Sequence, residues 1–273
     1  MNENISVSVR SLVEFVLRSG DLDNTRGHKD ADAMQEGSRI HRKIQRSMPS
    51  TYTAEVGLKI EVPIPEASLV LTVEGRADGV INDAEADPSV VIDEIKSMYM
   101  DVMHLTEPIG VHLAQAKCYA YIYAAQNHLE RIGVQMTYCS IETEAVRRFV
   151  QEFSKDELAA WFDGLIKEYS KWILWEHDWK QKRNASIKEL QFPFDYRSGQ
   201  KDFVTGVYKS ILREKKLFVE APTGVGKTIS TVFPAMKAMG EGLSSKLFYL
   251  TAKTIARTVA EDTFSMLTEK GVR

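Results

Sequence analysis

VVIDEIKS, Val90 to Ser97, is the stretch that decides the fold. Val90, Val91 and Ile92 have the β-branched character of a buried strand, yet Asp93, Glu94 and Lys96 follow at once. A charge on a core strand is expensive unless it is paired or holds a metal. Side chains alternate along a strand, so Glu94 and Lys96 share one face, ~7 Å apart, while Asp93 and Ile95 point to the other. Two readings compete. Either this is an edge strand whose charges face water, or it is a core strand that carries a functional site. Asp93, directed away from Lys96, reads as a structural or solvent-facing carboxylate rather than a ligand.

Working outward, Val7 to Arg18 and Met34 to Arg46 have helical character, separated by the polar spacer GDLDNTRGHKDAD. Three strand-like runs follow: Tyr52 to Val62, Ser68 to Ile81 and the opening stretch. NDAEADP, Asn82 to Pro88, is dense in turn formers and fits a hairpin loop. Val111 to Gln126 contains no Gly or Pro and suits a helix packed on a sheet. Arg131 to Thr143 alternates as a further strand. Leu158, Phe162, Leu165, Tyr169 and Trp172 then recur at helical spacing. KQKRNAS, Lys180 to Ser186, is basic and polar and reads as a linker. Beyond it, LFVE (Leu217 to Glu220), a glycine loop, a helix, LFYL (Leu247 to Leu250) and a last helix predict βαβα, the start of a parallel sheet. The expected division is 1–185 and 186–273, with an α/β fold in both parts.

The 273 residues, 44% hydrophobic and 27% charged, suit a soluble chain with a core. A formal net charge of −3 excludes a global basic field, so any DNA contact must come from a local patch. The start, MNENISVSVR, has no apolar run of a secretory signal, and no segment is long and apolar enough to span a bilayer. We expect a cytoplasmic protein without a membrane partner. Cys118 and Cys139 are two thiols, too few for a four-cysteine site, and read as buried small hydrophobes.

Asp78 ends the strand before the hairpin, and two adjacent strands can bring it within bridging distance of Glu94. Two carboxylates with main-chain oxygen and water make a site for a hard ion such as Mg²⁺ or Mn²⁺. Lys96 can orient a water or steady charge growing on a phosphate. His41 lies on the upstream helix, with Glu36 as a further acidic candidate, and Gln115 and Tyr119 sit one turn apart downstream. Gly37 to His41 (G-x-x-x-H), Gly75 to Asp78 (G-R-x-D), Asp93 to Lys96 (D-E-x-K) and Gln115 to Tyr119 (Q-x-x-x-Y) together resemble the RecB-type branch of the PD-(D/E)xK nucleases, over roughly residues 1–180. The resemblance implies a mixed sheet flanked by helices. It implies metal ligation by His41, Asp78, Glu94 and the Ile95 carbonyl, with Lys96 as the catalytic lysine and Gln115 and Tyr119 shaping a DNA-facing wall. Singly, His41 also reads as a helix-surface histidine and Tyr119 as a core tyrosine. Many relatives carry an iron–sulfur staple here; this chain lacks the cysteines, and none is expected.

EAPTGVGKT, Glu220 to Thr228, follows a strand-like run and opens a helix, the context of a phosphate-binding loop. Thr223, Gly224, Val225 and Gly226 would turn backbone N–H groups around phosphate oxygens. Lys227 would meet the β- and γ-phosphates of ATP, and Thr228 would ligate Mg²⁺. With Arg197 and Gln200 upstream and Thr251 and Lys253 downstream, residues 190–273 resemble the start of a DinG/XPD-like superfamily 2 DNA helicase. The general loop pattern wants Gly where Ala221 stands, a departure usual in those helicases. The resemblance implies that Gln200 reads adenine and that Thr251 and Lys253 touch the DNA backbone, although an ordinary solvated loop is the plainer reading of the last two. No D-E-x-H box or later arginine finger follows, so we expect an incomplete RecA-like domain. The chain then reads as the N-terminal portion of a longer protein, whose remaining motor is its partner and whose iron–sulfur cysteines, if any, lie further on.

The expectation is a metal-dependent DNA nuclease fused to an ATP-dependent helicase of DNA repair or processing. One alternative is a catalytically idle DNA-binding module that guides substrate to the motor. Another is a P-loop ATPase unrelated to nucleic acid. Trp172, Trp175 and Trp179 could stack on bases but are expected to pack between domains.

Overall fold

A computed structural model describes residues 3–18, 31–222, 224–252 and 254–272. The chain divides into two compact units, Met1–Leu174 and Trp175–Arg273. The first is an α/β unit built on a mixed six-stranded sheet, ordered β1-β3-β4-β5-β6 with β2 also on β3. Its strands are β1 (Glu3–Ser8), β2 (Tyr52–Ile64), β3 (Leu69–Asn82), β4 (Val90–Met98), β5 (Arg131–Ser140) and β6 (Val146–Ser154).

β3 organises the sheet. β2 pairs with it antiparallel along almost its whole length, Ile64↔Leu69 to Tyr52↔Ile81. On its other edge two strands share it. β1 runs parallel from Glu3↔Leu69 to Ser8↔Glu74, and β4 runs antiparallel from Gly79↔Asp93 to Asn82↔Val90. Gly75 to Asp78 lie between these pairings, where one neighbour has left and the next has not begun. β4 then pairs parallel with β5. VVIDEIKS is therefore a central strand, and the edge reading is excluded.

Alternation along β4 divides its side chains between two helical layers. Ile92 joins the large core formed with α1 (Val9–Val16), α3 (Gly110–Asn127) and the first half of α4 (Lys155–Glu189). Ile95 faces the other way, packing with Cys139 and with Ile40 and Ile44 of α2 (Ala31–Ser47). Both cysteines are free and buried.

Two strands of this unit were not anticipated. β1 is short and polar, and it forms because β3 offers it a parallel partner. It takes Val7 and Ser8 from the expected helix, and Ser8 instead caps α1 by accepting from the Ser11 N–H at 3.0 Å. β6 is an outer strand with mostly exposed side chains, so burial contributes little to its signal.

KQKRNAS is also no linker. It continues α4, a 35-residue helix, because Lys, Gln, Arg and Ala are good helix formers and no Gly or Pro interrupts them. Arg183 and Ile187 within this end of α4 are buried. The second unit adds α5 (Gln200–Leu212), α6 (Lys227–Gly240) and α7 (Thr254–Glu269) around Ile187, Leu190, Val232, Phe233 and Leu267. The expected parallel strands do not form there: among the described residues of this unit no strand is present, and LFVE and LFYL run without sheet partners. A strand is stable only when its backbone groups are paired. Phe218, Phe248 and Leu250 stand 92%, 77% and 90% exposed as a result. Trp172, Trp175 and Trp179 are exposed as well. No helix among the described residues is long and apolar enough to cross a membrane.

Candidate active site

The β3–β4 register, continued one pair beyond Gly79↔Asp93, sets Asp78 opposite Glu94. Backbone pairing stops there. The Ile95 N–H is taken instead by the Asp78 carboxylate, with Oδ2 accepting at 2.7 Å. Asp78 thus fills the gap between the two strands. Its other oxygen, Oδ1, stands 3.5 Å from His41 Nδ1, and its carbonyl accepts from Gln45 Nε2 at 3.0 Å. His41 and Gln45 are one turn apart on α2 and meet Asp78 together.

Glu94 enters from the α3 side and is 2% exposed. Oε1 accepts from Lys96 Nζ at 2.8 Å. Oε2 is buried with no hydrogen-bond partner among the described residues. Burial pushes the Glu94 carboxyl up to about 8; the Lys96 charge opposes that rise and the Asp78 charge adds to it. Lys96 also donates to Gln115 Oε1 at 3.0 Å, and Gln115 Nε2 donates to the Tyr119 hydroxyl at 3.4 Å. Gln115 and Tyr119 are buried, so they brace Lys96 from behind and present no open wall. Burial, with the Glu94 charge second, pushes the Tyr119 hydroxyl up to about 12.

Asp93 is structural and fully buried. It accepts from Thr137 Oγ1 at 2.6 Å, Gln135 Nε2 at 3.0 Å and Tyr52 OH at 3.2 Å. Desolvation raises its pKa, and these donors work against the rise. Glu36 does not join the site; it pairs with Arg39 at 2.6 Å. Sequence reasoning missed Gln45 and Tyr52. Gln45 had a signal, four residues after His41 on one helix face, whereas Tyr52 had none.

The metal question turns on the donor set. Among the described residues no group of three or more His, Cys, Asp or Glu is gathered closely enough to hold an ion. The His41–Asp78–Glu94 set is therefore not assembled as three ligands. The orphaned Glu94 Oε2 beside Asp78 does fit a hard divalent ion taken by two carboxylates with main-chain oxygen, and His41 then serves to hold Asp78.

In the second unit Gly224 and Gly226 take φ of 83° and 73°, the left-handed turn the glycine loop requires. A methyl group at Gly226 would come within 2.8 Å of Gln200 Nε2. Gln200 is buried and braces the loop: Nε2 donates to the Val225 carbonyl and to Ser230 Oγ, both at 3.1 Å, while Oε1 accepts from the Arg197 N–H at 3.0 Å. The Arg197 guanidinium donates to the Gly224 carbonyl. Lys227 Nζ turns into its own loop, onto the Ala221 and Pro222 carbonyls at 3.0 and 2.8 Å, and Thr228 Oγ1 accepts from Tyr249 OH at 3.3 Å. A cavity of about 540 Å³ opens on Arg197, Gly224, Gly226, Lys227 and Thr228. Phe194, which also lines it, was missed by sequence reasoning and offers an exposed ring. Thr251 is exposed ahead of α7. Thr223 and Lys253 lie outside the described residues.

No family model matches the chain, and no curated protein matches it. Among solved structures, the crystal structure of SSO0001 is similar at 17% identity with a TM-score of 0.39, over 61% of this chain and 77% of that one.

Proposed function

We propose that the first unit is a RecB-type PD-(D/E)xK nuclease that hydrolyses phosphodiester bonds in DNA. The observation that carries this reading is the buried Glu94 carboxylate, one oxygen on Lys96 and the other unsatisfied, directly across the strand gap from Asp78. Asp78, Glu94 and the Ile95 carbonyl would hold Mg²⁺ or Mn²⁺, which would supply a Lewis acid to offset charge on a non-bridging phosphate oxygen. The chain's own groups do the positioning. Lys96 spends two of its three N–H donors on Glu94 and Gln115, which leaves one for a phosphate oxygen or for the attacking water. The Gln115–Tyr119 pair keeps the ammonium from swinging away. His41 and Gln45 keep Asp78 in the gap.

The second unit, in this reading, binds ATP through Gly224 to Thr228 and belongs to a DinG/XPD-like helicase motor that feeds DNA to the nuclease in cytoplasmic DNA repair or processing. The absence of a gathered three-ligand cluster among the described residues favours one other reading, a nuclease-fold module that guides DNA without cutting it.

The test is single-stranded DNA incubated with the purified chain and Mn²⁺. Cleavage is expected, falling by about 100-fold or more in Asp78→Ala and in Lys96→Ala. Cleavage that persists in the variants removes the site. No cleavage by the parent chain, with binding of the DNA retained, favours the guiding module.

A further inference from the structure

α2 has a second face. Ile40 and Ile44 are buried against the sheet, and His41 and Gln45 turn toward Asp78. Arg42 and Arg46 fall about 200° round the helix from Ile40 and Ile44, on the solvent side, and both are exposed. Arg39 and Lys43 lie between. Together Arg39, Arg42, Lys43 and Arg46 line a concavity of about 310 Å³, and among the described residues they alone form its wall. Four cations about one open hollow repel each other unless an anion sits among them.

The chain supplies a partial anion. Glu144, in the turn after β5, reaches between Arg39 and Lys43: Oε1 accepts from Arg39 at 2.8 Å and Oε2 pairs with Lys43. Glu144 takes φ 55°, an uncommon conformation for a side chain of its type. Glu36 also pairs with Arg39. Two carboxylates against four cations leave two charges over. Among the described residues neither Arg42 nor Arg46 has an ion-pair partner; Arg42 donates only to the Ser38 carbonyl, at 3.1 Å.

We propose that this α2 ridge is a docking track for the phosphate backbone of a nucleic-acid strand, with the Glu144 carboxylate standing in one phosphate position until the strand displaces it. Arg39 to Arg46 spans about 10 Å of helix, longer than one phosphate group and suited to successive phosphates of one strand. Arginine's planar fork suits phosphate oxygens, and phosphate contacts position a strand without reading its sequence. His41, on the same helix, stands 3.5 Å from Asp78, so the helix that carries the ridge also abuts the candidate site. The proposal deepens the nuclease reading and rests on it for the identity of the strand.

Its test is read apart from cleavage. Affinity for a fluorescent single-stranded oligonucleotide is measured by anisotropy across a salt series, in chelator, for the parent chain, Arg42→Glu/Arg46→Glu and Glu144→Gln. Circular dichroism checks that each is folded, and Arg42→Ala/Arg46→Ala replaces the glutamate pair if that one is not. The arginine variant is expected to bind at least ~10-fold more weakly, with a salt slope shallower by about 1.4 for two lost contacts. Glu144→Gln is expected to bind more tightly, with a steeper slope. Unchanged affinity and slope in the arginine variant overturn the track, and no gain in Glu144→Gln overturns the displaceable carboxylate. Inorganic phosphate binding as tightly as the oligonucleotide would make this a small-anion site and overturn the strand reading. Loss of cleavage in the parent chain, with these binding results intact, would sink the nuclease reading alone.

Discussion

Glu94 is the residue on which the chemistry proposed for the first unit depends, and its position is costly. A buried carboxylate with one oxygen unpaired is destabilising as an anion, and the neighbouring ammonium offsets only part of that. A pKa of about 8 in the fold, against an ordinary 4.5, means that the folded chain binds this proton more tightly than the unfolded chain does. The stability it lends is present in full below the ordinary value and is lost as pH rises through about 8, at a slope of up to ~1.4 kcal/mol per pH unit. In Glu94→Gln that loss disappears. Urea melts of parent and variant over this window are expected to diverge in the variant's favour as pH rises; parallel curves would show that the carboxyl does not titrate with folding. That Glu94 and Lys96 share a face was legible from strand alternation alone. That Asp78 would take the Ile95 N–H was not, because it depends on where β3 and β4 part.

Between elements, a glycine lets one strand's side chain cross another strand. A methyl group at Gly79 would lie 1.9 Å from the Tyr52 ring. With hydrogen there instead, the ring passes over β3 and its hydroxyl reaches Asp93 on β4. Gly79→Ala is expected to cost about 1–3 kcal/mol in chemical denaturation by pushing the ring aside. The same change in a Tyr52→Ala background is expected to cost much less, since the obstacle is gone. Equal losses in both backgrounds would mean that the close approach carries no energy. The pieces of this crossing stood in the sequence as a hairpin and a G-R-x-D-G run, but register decides which ring lies over which glycine, and no periodicity encodes it. For the same reason β1 and β6 went unread: each is held by the strand it pairs with more than by its own pattern.

At the scale of the whole chain, each unit carries its own candidate site on its own elements. Lys227 belongs to the glycine loop, so Lys227→Ala is expected to abolish nucleotide binding, measured with a fluorescent ATP analogue, while Asp78→Ala leaves that binding unchanged. Retained binding in Lys227→Ala would refute the loop assignment. Local sequence settled the features governed by short range: the hairpin before VVIDEIKS, the α3 and α4 helices, the paired charges on β4 and the glycine loop ahead of α6. Each follows from side-chain periodicity or from a residue's own backbone freedom. Tertiary structure settled the rest. Pairing on both sides made VVIDEIKS a central strand and so turned its charges into a buried site. Burial of Arg183 and Ile187 anchored the helix-favouring KQKRNAS run, read as a linker, at the end of α4. Want of a partner left LFVE and LFYL, apolar and strand-like as they read, outside any sheet. The physical reason is common to all three: sheet hydrogen bonds and burial are supplied by residues distant in the chain, and no stretch contains its own partner.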